Sequence, residues 1–265
     1  MPLVKFLDEK LHDEVNPQYY IECADGKHPE AERSSQFTGA ILRRIWQDNT
    51  NRKAEVQANE ISISELSGCV RQSILKKQTD YAEYASRLYA ATRGTALHHI
   101  VSSVQDLNDH QIIVEKRFRR MVNGIQVSGQ VDELDLRQGI LTDYKSVSEL
   151  PSSPQPSWIK QLNMYRWLLQ DCYDKDGNHY QFNIDLLRVV CLSFKTVKKL
   201  KVPLRDLAEI ETMIQEGVGE FKKSLETGML PLPQSPYNPY AFILCTNYCS
   251  VRNECLARLP GDKNG

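Results

Sequence analysis

Apolar residues change their spacing several times along this chain, and each change marks an element. Residues 1–35 are polar, broken by Pro and Gly, and show no clear period. FTGAILRRIWQDN (37–49) has the three-to-four spacing of an amphipathic helix. ISISELSGCVRQSILKK (61–77) predicts a short extended entry, then a helix capped at Ser64 and running through Leu66, Cys69 and Ile74. Helical spacing continues over 81–107, interrupted at Arg93-Gly94. The period then drops towards two in QIIVEKRFRRMV, GIQVSGQVDELDLR and GILTDYKSV, which are rich in β-branched residues and separated by Asn123-Gly124 and Gln138-Gly139. Alternating runs joined by such turns predict a three-stranded antiparallel meander. SWIKQLNMYRWLLQDCY (157–173) returns to helical spacing through Ile159, Leu162, Tyr165, Leu168 and Leu169. DLLRVVCLSFK (185–195) reads as a strand, and a helical crossover before it suits parallel pairing to the meander. A long helix over 203–227, with Pro203 in its first turn, precedes the Pro-rich LPLPQSPYNPY. The expected class is α/β: a mixed central sheet containing an antiparallel meander, flanked by helices.

Composition narrows the function classes. A formal net charge of −1 excludes a uniformly basic DNA-coating protein but leaves room for a local basic groove. Lys116-Arg117-Phe118-Arg119-Arg120 and the lysines between Lys195 and Lys201 are the candidates, and such runs also serve as plain solvated faces. No apolar run is long enough to span a bilayer, and MPLVKFLDEK meets acids too early for a secretory signal, so the expectation is a cytoplasmic protein without a membrane partner. Seven cysteines, an odd number, in such a chain argue against a disulfide framework. Cys23, Cys172 and Cys191 are scattered, whereas Cys245, Cys249 and Cys255 crowd into CTNYCSVRNEC.

The chemistry concentrates in GILTDYKSVSEL. Residues two apart on a strand point to one face, which sets Asp143 beside Lys145 with Tyr144 opposite. One reading is a solvated strand face with a weak ion pair. The other begins with Asp132, on the strand expected to pair with that of Asp143, so that two carboxylates converge at one end of the sheet. Two carboxylates in one pocket repel unless a positive charge neutralises them. Lys145 supplies one charge, and a hard cation, Mg²⁺ or Mn²⁺, supplies more. His98, in RGTALHH, adds a nitrogen donor that favours Mn²⁺. Gln161 and Tyr165 stand at i, i+4 on one helix face.

GTALH (94–98), SGQVDEL with Asp132, DYK with Asp143 and Lys145, and QLNMY with Gln161 and Tyr165 fall in the order and spacing of the RecB-type branch of the PD-(D/E)XK nucleases. With Cys69 upstream and the cysteine trio downstream, the chain resembles the iron–sulfur-bearing members: AddB-type recombination nucleases and, closest in size, the CRISPR-associated Cas-four family. The resemblance covers 61–258, leaving 1–60 as an extension of unclear role and 259–265 as a tail. It implies a restriction-endonuclease-like core in which His98, Asp132, Asp143 and the Tyr144 carbonyl hold one or two divalent metals. Lys145 is then catalytic beside the attacking water, and Gln161 and Tyr165 line the DNA path. It also implies a [4Fe–4S] cluster on Cys69, Cys245, Cys249 and Cys255, stapling the C-terminal cysteines to an N-terminal helix. Here the trio is spaced Cys-x₃-Cys-x₅-Cys where the family shows Cys-x₂-Cys-x₅-Cys, and Val70 stands where a proline commonly follows the first cysteine. Spacing alone leaves Zn²⁺ open as the lesser alternative. The implied activity is metal-dependent cleavage of single-stranded or frayed DNA ends by exonuclease action, with endonuclease action left open. The implied setting is prespacer processing beside a CRISPR integrase complex, with a stand-alone recombination, repair or phage exonuclease and a weakly cutting end-binding subunit as the alternatives.

Overall fold

The computed structural model describes residues 3–31, 33, 35–51, 58–103, 111–233, 245 and 249–258, without the side chains of Asn51, His98, His99, Val101 and Ser102. Along the chain run β1 (Leu3–Leu7), β2 (Glu14–Val15), α1 (Pro17–Ala24), α2 (Gly39–Asn51), β3 (Glu60–Ser62), α3 (Ile63–Ser67), α4 (Val70–Gln78), β4 (Tyr81–Tyr84) and α5 (Ala85–Ser103). There follow β5 (Ile112–Val122), β6 (Ile125–Asp135), β7 (Ile140–Ser146), α6 (Pro156–Leu169), β8 (Cys172–Tyr173), β9 (His179–Tyr180), β10 (Leu186–Leu192), β11 (Val197–Val202), α7 (Leu207–Thr227) and α8 (Arg252–Ala257). They divide into two units: Met1–Val56, Arg71–Arg93 and Leu232–Gly265 make one, and Gln57–Val70 with Gly94–Pro231 the other. No described helix is long and apolar enough to cross a membrane.

In the first unit a small sheet has the order β2-β1-β4, antiparallel then parallel. The buried Asp8 ends β1 by accepting the N–H groups of Lys10 and Leu11, each at 2.8 Å. Asn16 caps α1 on Gln18 and Tyr19, with Pro17 at the first helical position, where its missing N–H costs nothing. Phe6, Tyr20, Ile21, Leu42, Ile45 and Ala85 then close a core from short pieces far apart in sequence.

The second unit is built on a sheet of order β11-β10-β7-β6-β5-β8-β9, with β3 also pairing to β6. The meander is present: β5–β6 and β6–β7 are antiparallel, and Asn123 (φ 50°) and Gly124 (φ 83°) turn the first hairpin in the left-handed region. The expected parallel pairing is present too, from Leu186↔Ile140 to Leu192↔Ser146 between β10 and β7. Helix α7 buries Ile210, Ile214, Val218 and Phe221 along one stripe, is capped by Asp206 and ends at Gly228 (φ 71°).

Several local expectations shift. The helix over 61–77 is two, because Ser62 rather than Ser64 forms a reciprocal capping box with Glu65, and the chain breaks at Gly68 before α4. Helix α5 runs through Arg93-Gly94 without interruption, preceded by a strand. Helix α6 ends at Leu169, and Cys172–Tyr173 join the sheet as β8. Helix α7 begins at Leu207, since Asp206 supplies the cap that Pro203 lacks. The basic run at 195–201 holds the edge strand β11, where lysines discourage pairing with another chain. The Pro-rich segment beyond 233 lies outside the described residues.

Candidate active site

The sheet forks beside Asp132. On one edge of β6, β3 pairs in parallel at Gln126, Val127 and Ser128, while β7 pairs antiparallel only at Glu133, Leu134 and Asp135. One step beyond the Glu133↔Thr142 pair, Asp132 and Asp143 face each other across the fork. There the Asp132 carboxylate takes over from the ladder, its Oδ2 accepting the Tyr144 N–H at 2.8 Å. In an extended strand a residue's N–H and C=O point to the same edge, so the Tyr144 carbonyl is directed to the side Asp132 occupies.

A change of strand phase delivers Asp132 to that edge. Val131 and Leu134 are both buried although three residues apart, which simple alternation forbids. On the neighbouring strand the position opposite Asp132 is Glu115, whose φ of 51° is left-handed for a non-glycine residue. Irregularities of this kind re-aim side chains and gather near functional sites.

Around the fork the side chains form two connected sets. Asp143 is buried, and Lys145 Nζ lies 3.0 Å from both of its oxygens. The same ammonium donates to Gln161 Oε1 at 3.2 Å, and Gln161 Nε2 donates to Ser64 Oγ at 3.1 Å. Tyr165, one turn further along α6, is buried against Gly129, where a Cβ would come within 2.4 Å of Tyr165 Cε1. Burial pushes the Tyr165 phenol above its ordinary range, and the charges of Asp132 and Asp143 push it the same way. On the opposite side of β7, Tyr144 donates its hydroxyl to Glu133 at 2.7 Å, and Arg188 binds both Glu133 (3.2 Å) and Thr142 (2.8 Å). Burial first and the Glu133 carboxylate second raise the Tyr144 phenol.

Asp132, Asp143, Tyr144, Lys145, Gln161 and Tyr165 are thus brought together at one end of the sheet. His98 sits on α5 by its backbone, and its side chain lies outside the described residues. Sequence reading passed over Ser64 as a partner of Gln161, and over Glu133, Thr142 and Arg188. An arginine inside the apolar run LLRVVCL was the available signal for the last set. Two carboxylates and a backbone carbonyl are the oxygen donors that Mg²⁺ or Mn²⁺ takes. Among the described residues no group of three or more His, Cys, Asp or Glu side chains stands together as a finished metal cage.

Of the basic run at 116–120, three members serve the fold. Lys116 meets Asp174 and Tyr180, Arg117 donates to Ser128, and Arg120 stacks 4.0 Å over Trp167. None of the seven cysteines is in a disulfide. Cys69 belongs to the second unit, and Cys245, Cys249 and Cys255 to the first. Burial first, then the charges of Cys249 and Cys255, raise the Cys245 thiol. Arg71, itself buried, donates from Nε to Cys255 Sγ at 3.1 Å and from Nη2 to the carbonyls of Cys255 and Arg258.

Comparison with known proteins agrees with this geometry. Residues 13–256 match the PD-(D/E)XK nuclease superfamily. No curated protein matches the chain. A solved structure titled "Crystal structure of SSO0001" shares the fold, with a TM-score of 0.54 at 17% identity over 83% of this chain and 96% of that one. A mixed sheet flanked by helices, forked at paired acidic residues and a lysine, therefore has its family: the chain belongs to the PD-(D/E)XK nuclease superfamily.

Proposed function

We propose that the chain is a metal-dependent deoxyribonuclease acting on single-stranded or frayed DNA ends. The observation that carries this reading is the convergence of Asp132, Asp143, Lys145 and Gln161 at the fork between β6 and β7. Asp132, Asp143 and the Tyr144 carbonyl, joined by His98, would hold Mg²⁺ or Mn²⁺. When bound, such a cation lowers the pKa of water and takes up charge on the phosphate. The protein's own residues do the rest. Lys145, fixed between Asp143 and Gln161, orients the attacking water and meets the negative charge that grows on the phosphate. The water oxygen bonds to phosphorus, the bond to the leaving sugar oxygen breaks, and that oxygen takes up a proton. Ser64 holds Gln161, and Gln161 holds Lys145, so the ammonium needs little reorganisation during the step. Tyr165, buried and protonated, borders the path of the strand.

In its narrower form the reading places the enzyme in CRISPR adaptation, trimming prespacer ends beside an integrase in the cytoplasm. The motif order GTALH, SGQVDEL, DYK and QLNMY supports that form. A [4Fe–4S] cluster on Cys69, Cys245, Cys249 and Cys255 belongs to it as well, supported by the crowding of three cysteines into CTNYCSVRNEC and by the Arg71 N–H that Cys255 accepts.

The test is cleavage of end-labelled single-stranded DNA by protein purified without oxygen, with Mn²⁺, Mg²⁺ or chelator. Cutting should require the metal and fall at least about 100-fold in Lys145→Ala, the scale on which a lost group stabilising the transition state is felt. DNA binding without cutting by the native chain would replace the enzyme reading with that of an end-binding subunit.

A further inference from the structure

The β10–β11 hairpin presents an exposed aromatic ring and an exposed lysine at its tip. Its tip, residues 193–196, lies directly beyond the rows that hold the site, because Cys191 pairs with Lys145 and Leu192 with Ser146. The turn is closed through Ser193, whose hydroxyl also accepts the Lys195 N–H at 3.4 Å. Ser193 N donates to Thr196 O at 3.0 Å, Ser193 Oγ accepts from Thr196 N at 3.1 Å, and the same hydroxyl donates to Thr196 O at 2.9 Å. Phe194 and Lys195 occupy the two central positions, where turn chemistry ordinarily calls for Asn, Asp or Gly. Phe194 is 86% exposed, so its ring adds almost nothing to packing. An exposed phenyl ring beside a lysine, on a turn closed by backbone groups and the Ser193 hydroxyl, has the makings of a contact surface.

The neighbouring charges indicate what it contacts. Lys145, Cys191 and Lys198 form one register row across β7, β10 and β11. Two strand spacings put the outer members of that row about 10 Å apart. Lys198 is braced by the Pro151 carbonyl at 2.9 Å, on the loop that leaves the catalytic strand. Leading away from Lys145, the surface therefore presents Lys198, then Lys195 and Phe194 at the tip: cations for phosphates and a flat apolar face for a base. Such a combination fits a single nucleic-acid strand, whose bases are free to stack. A duplex keeps its bases stacked on one another.

We propose that this hairpin tip is the contact for the single DNA strand entering the active site, with Phe194 stacking on a base and Lys195 and Lys198 meeting the phosphates nearest the cut. The proposal rests on the nuclease reading and extends it to how substrate is gripped. Because stacking is indifferent to base identity, the grip is tolerant of sequence.

Binding of a short labelled single-stranded deoxyoligonucleotide, measured by fluorescence anisotropy in chelator so that nothing is cut, tests it. Phe194→Ala should weaken binding about five-fold or more, as expected for one lost base–aromatic stack, while Phe194→Trp keeps it. Lys195→Ala should reduce the slope of log affinity against log salt by about 0.7, one phosphate contact on a single strand. All three variants should keep the native unfolding midpoint, since the turn is closed without those side chains. Phe194→Ala binding as tightly as the native chain would overturn the proposal. The native chain's metal-dependent hydrolysis of bis(p-nitrophenyl) phosphate, a diester too small to reach the hairpin, separates the two ideas: its absence sinks the nuclease reading, its presence with unaltered Phe194→Ala binding sinks the hairpin proposal alone.

Discussion

At the scale of single residues, the site depends as much on a missing side chain as on those present. Gly129 leaves the space that the Tyr165 ring fills; a Cβ there would stand 2.4 Å from Cε1 of that ring and 3.1 Å from Leu168 Cδ2. Both neighbours are buried on α6, and neither can swing into solvent. Gly129→Ala should therefore push α6 off the sheet and cost about 1–3 kcal/mol, the usual penalty for overfilling a packed core. Urea unfolding would register it as a lower midpoint with an unchanged slope; an unaltered midpoint would show that α6 yields freely. The glycine of SGQVDEL could be read as part of a motif from sequence, but its reason could not, because that reason is a ring 36 residues further on. The convergence of Asp132, Asp143, Lys145 and Gln161 at one end of the sheet was legible in residue type, short spacing and motif order. The Glu133–Tyr144–Arg188 set was not, since three strands contribute to it and only their register makes it one cluster.

Elements with a strong period were the readable ones. The meander and the parallel strand β10 were written in β-rich runs and in the turns at Asn123-Gly124 and Gln138-Gly139, and α6 and α7 in their apolar stripes. What failed was local and physical: a capping box moved a helix start from Ser64 to Ser62, and short strands such as β8, β9 and β11 are too brief or too charged to show a period. The β8–β9 hairpin owes its form to one carboxylate. Burial alone would raise the Asp174 pKa, but hydrogen bonds from Asn178, Lys116 and Tyr180 hold it below its ordinary value of 3.8. The unfolded chain therefore binds this proton first as pH falls. The stabilisation is complete above pH 3.8 and is lost as pH drops towards the lower folded-state value. Thermal unfolding followed by circular dichroism between about pH 2 and 5 should show that decline, and Asp174→Asn should flatten it. A variant that keeps the native slope over that range would transfer the acid sensitivity to other carboxylates.

Over the whole molecule, the chain returns on itself: residues 71–93 and 232–265 belong with the N-terminal unit, while the nuclease sheet is formed by the segments between and before them. That arrangement was invisible in the sequence, because the first 35 residues have no period and their core is completed by Leu42, Ile45 and Ala85. In the proposed enzyme the cysteines would have a thermodynamic role that catalysis does not require. A cluster shared by Cys69 and the trio would close a loop of more than about 100 residues, and in the chain-entropy picture a link of that length stabilises by about 4–5 kcal/mol through the unfolded state. The Arg71 N–H already donates to Cys255 Sγ at 3.1 Å, a hydrogen bond that a ligating sulfur would keep. Protein purified without oxygen should then contain iron and acid-labile sulfide, and Cys255→Ser should lose both. Its unfolding midpoint should fall on the order of 10 °C, the conversion expected for a domain of this size. Zinc in place of iron would keep the staple and change only its chemistry. A native chain free of both metals, unfolding at the same temperature as Cys255→Ser, would reduce the trio to ordinary thiols and leave Arg71, through its two carbonyl contacts, as the residue that fastens α8.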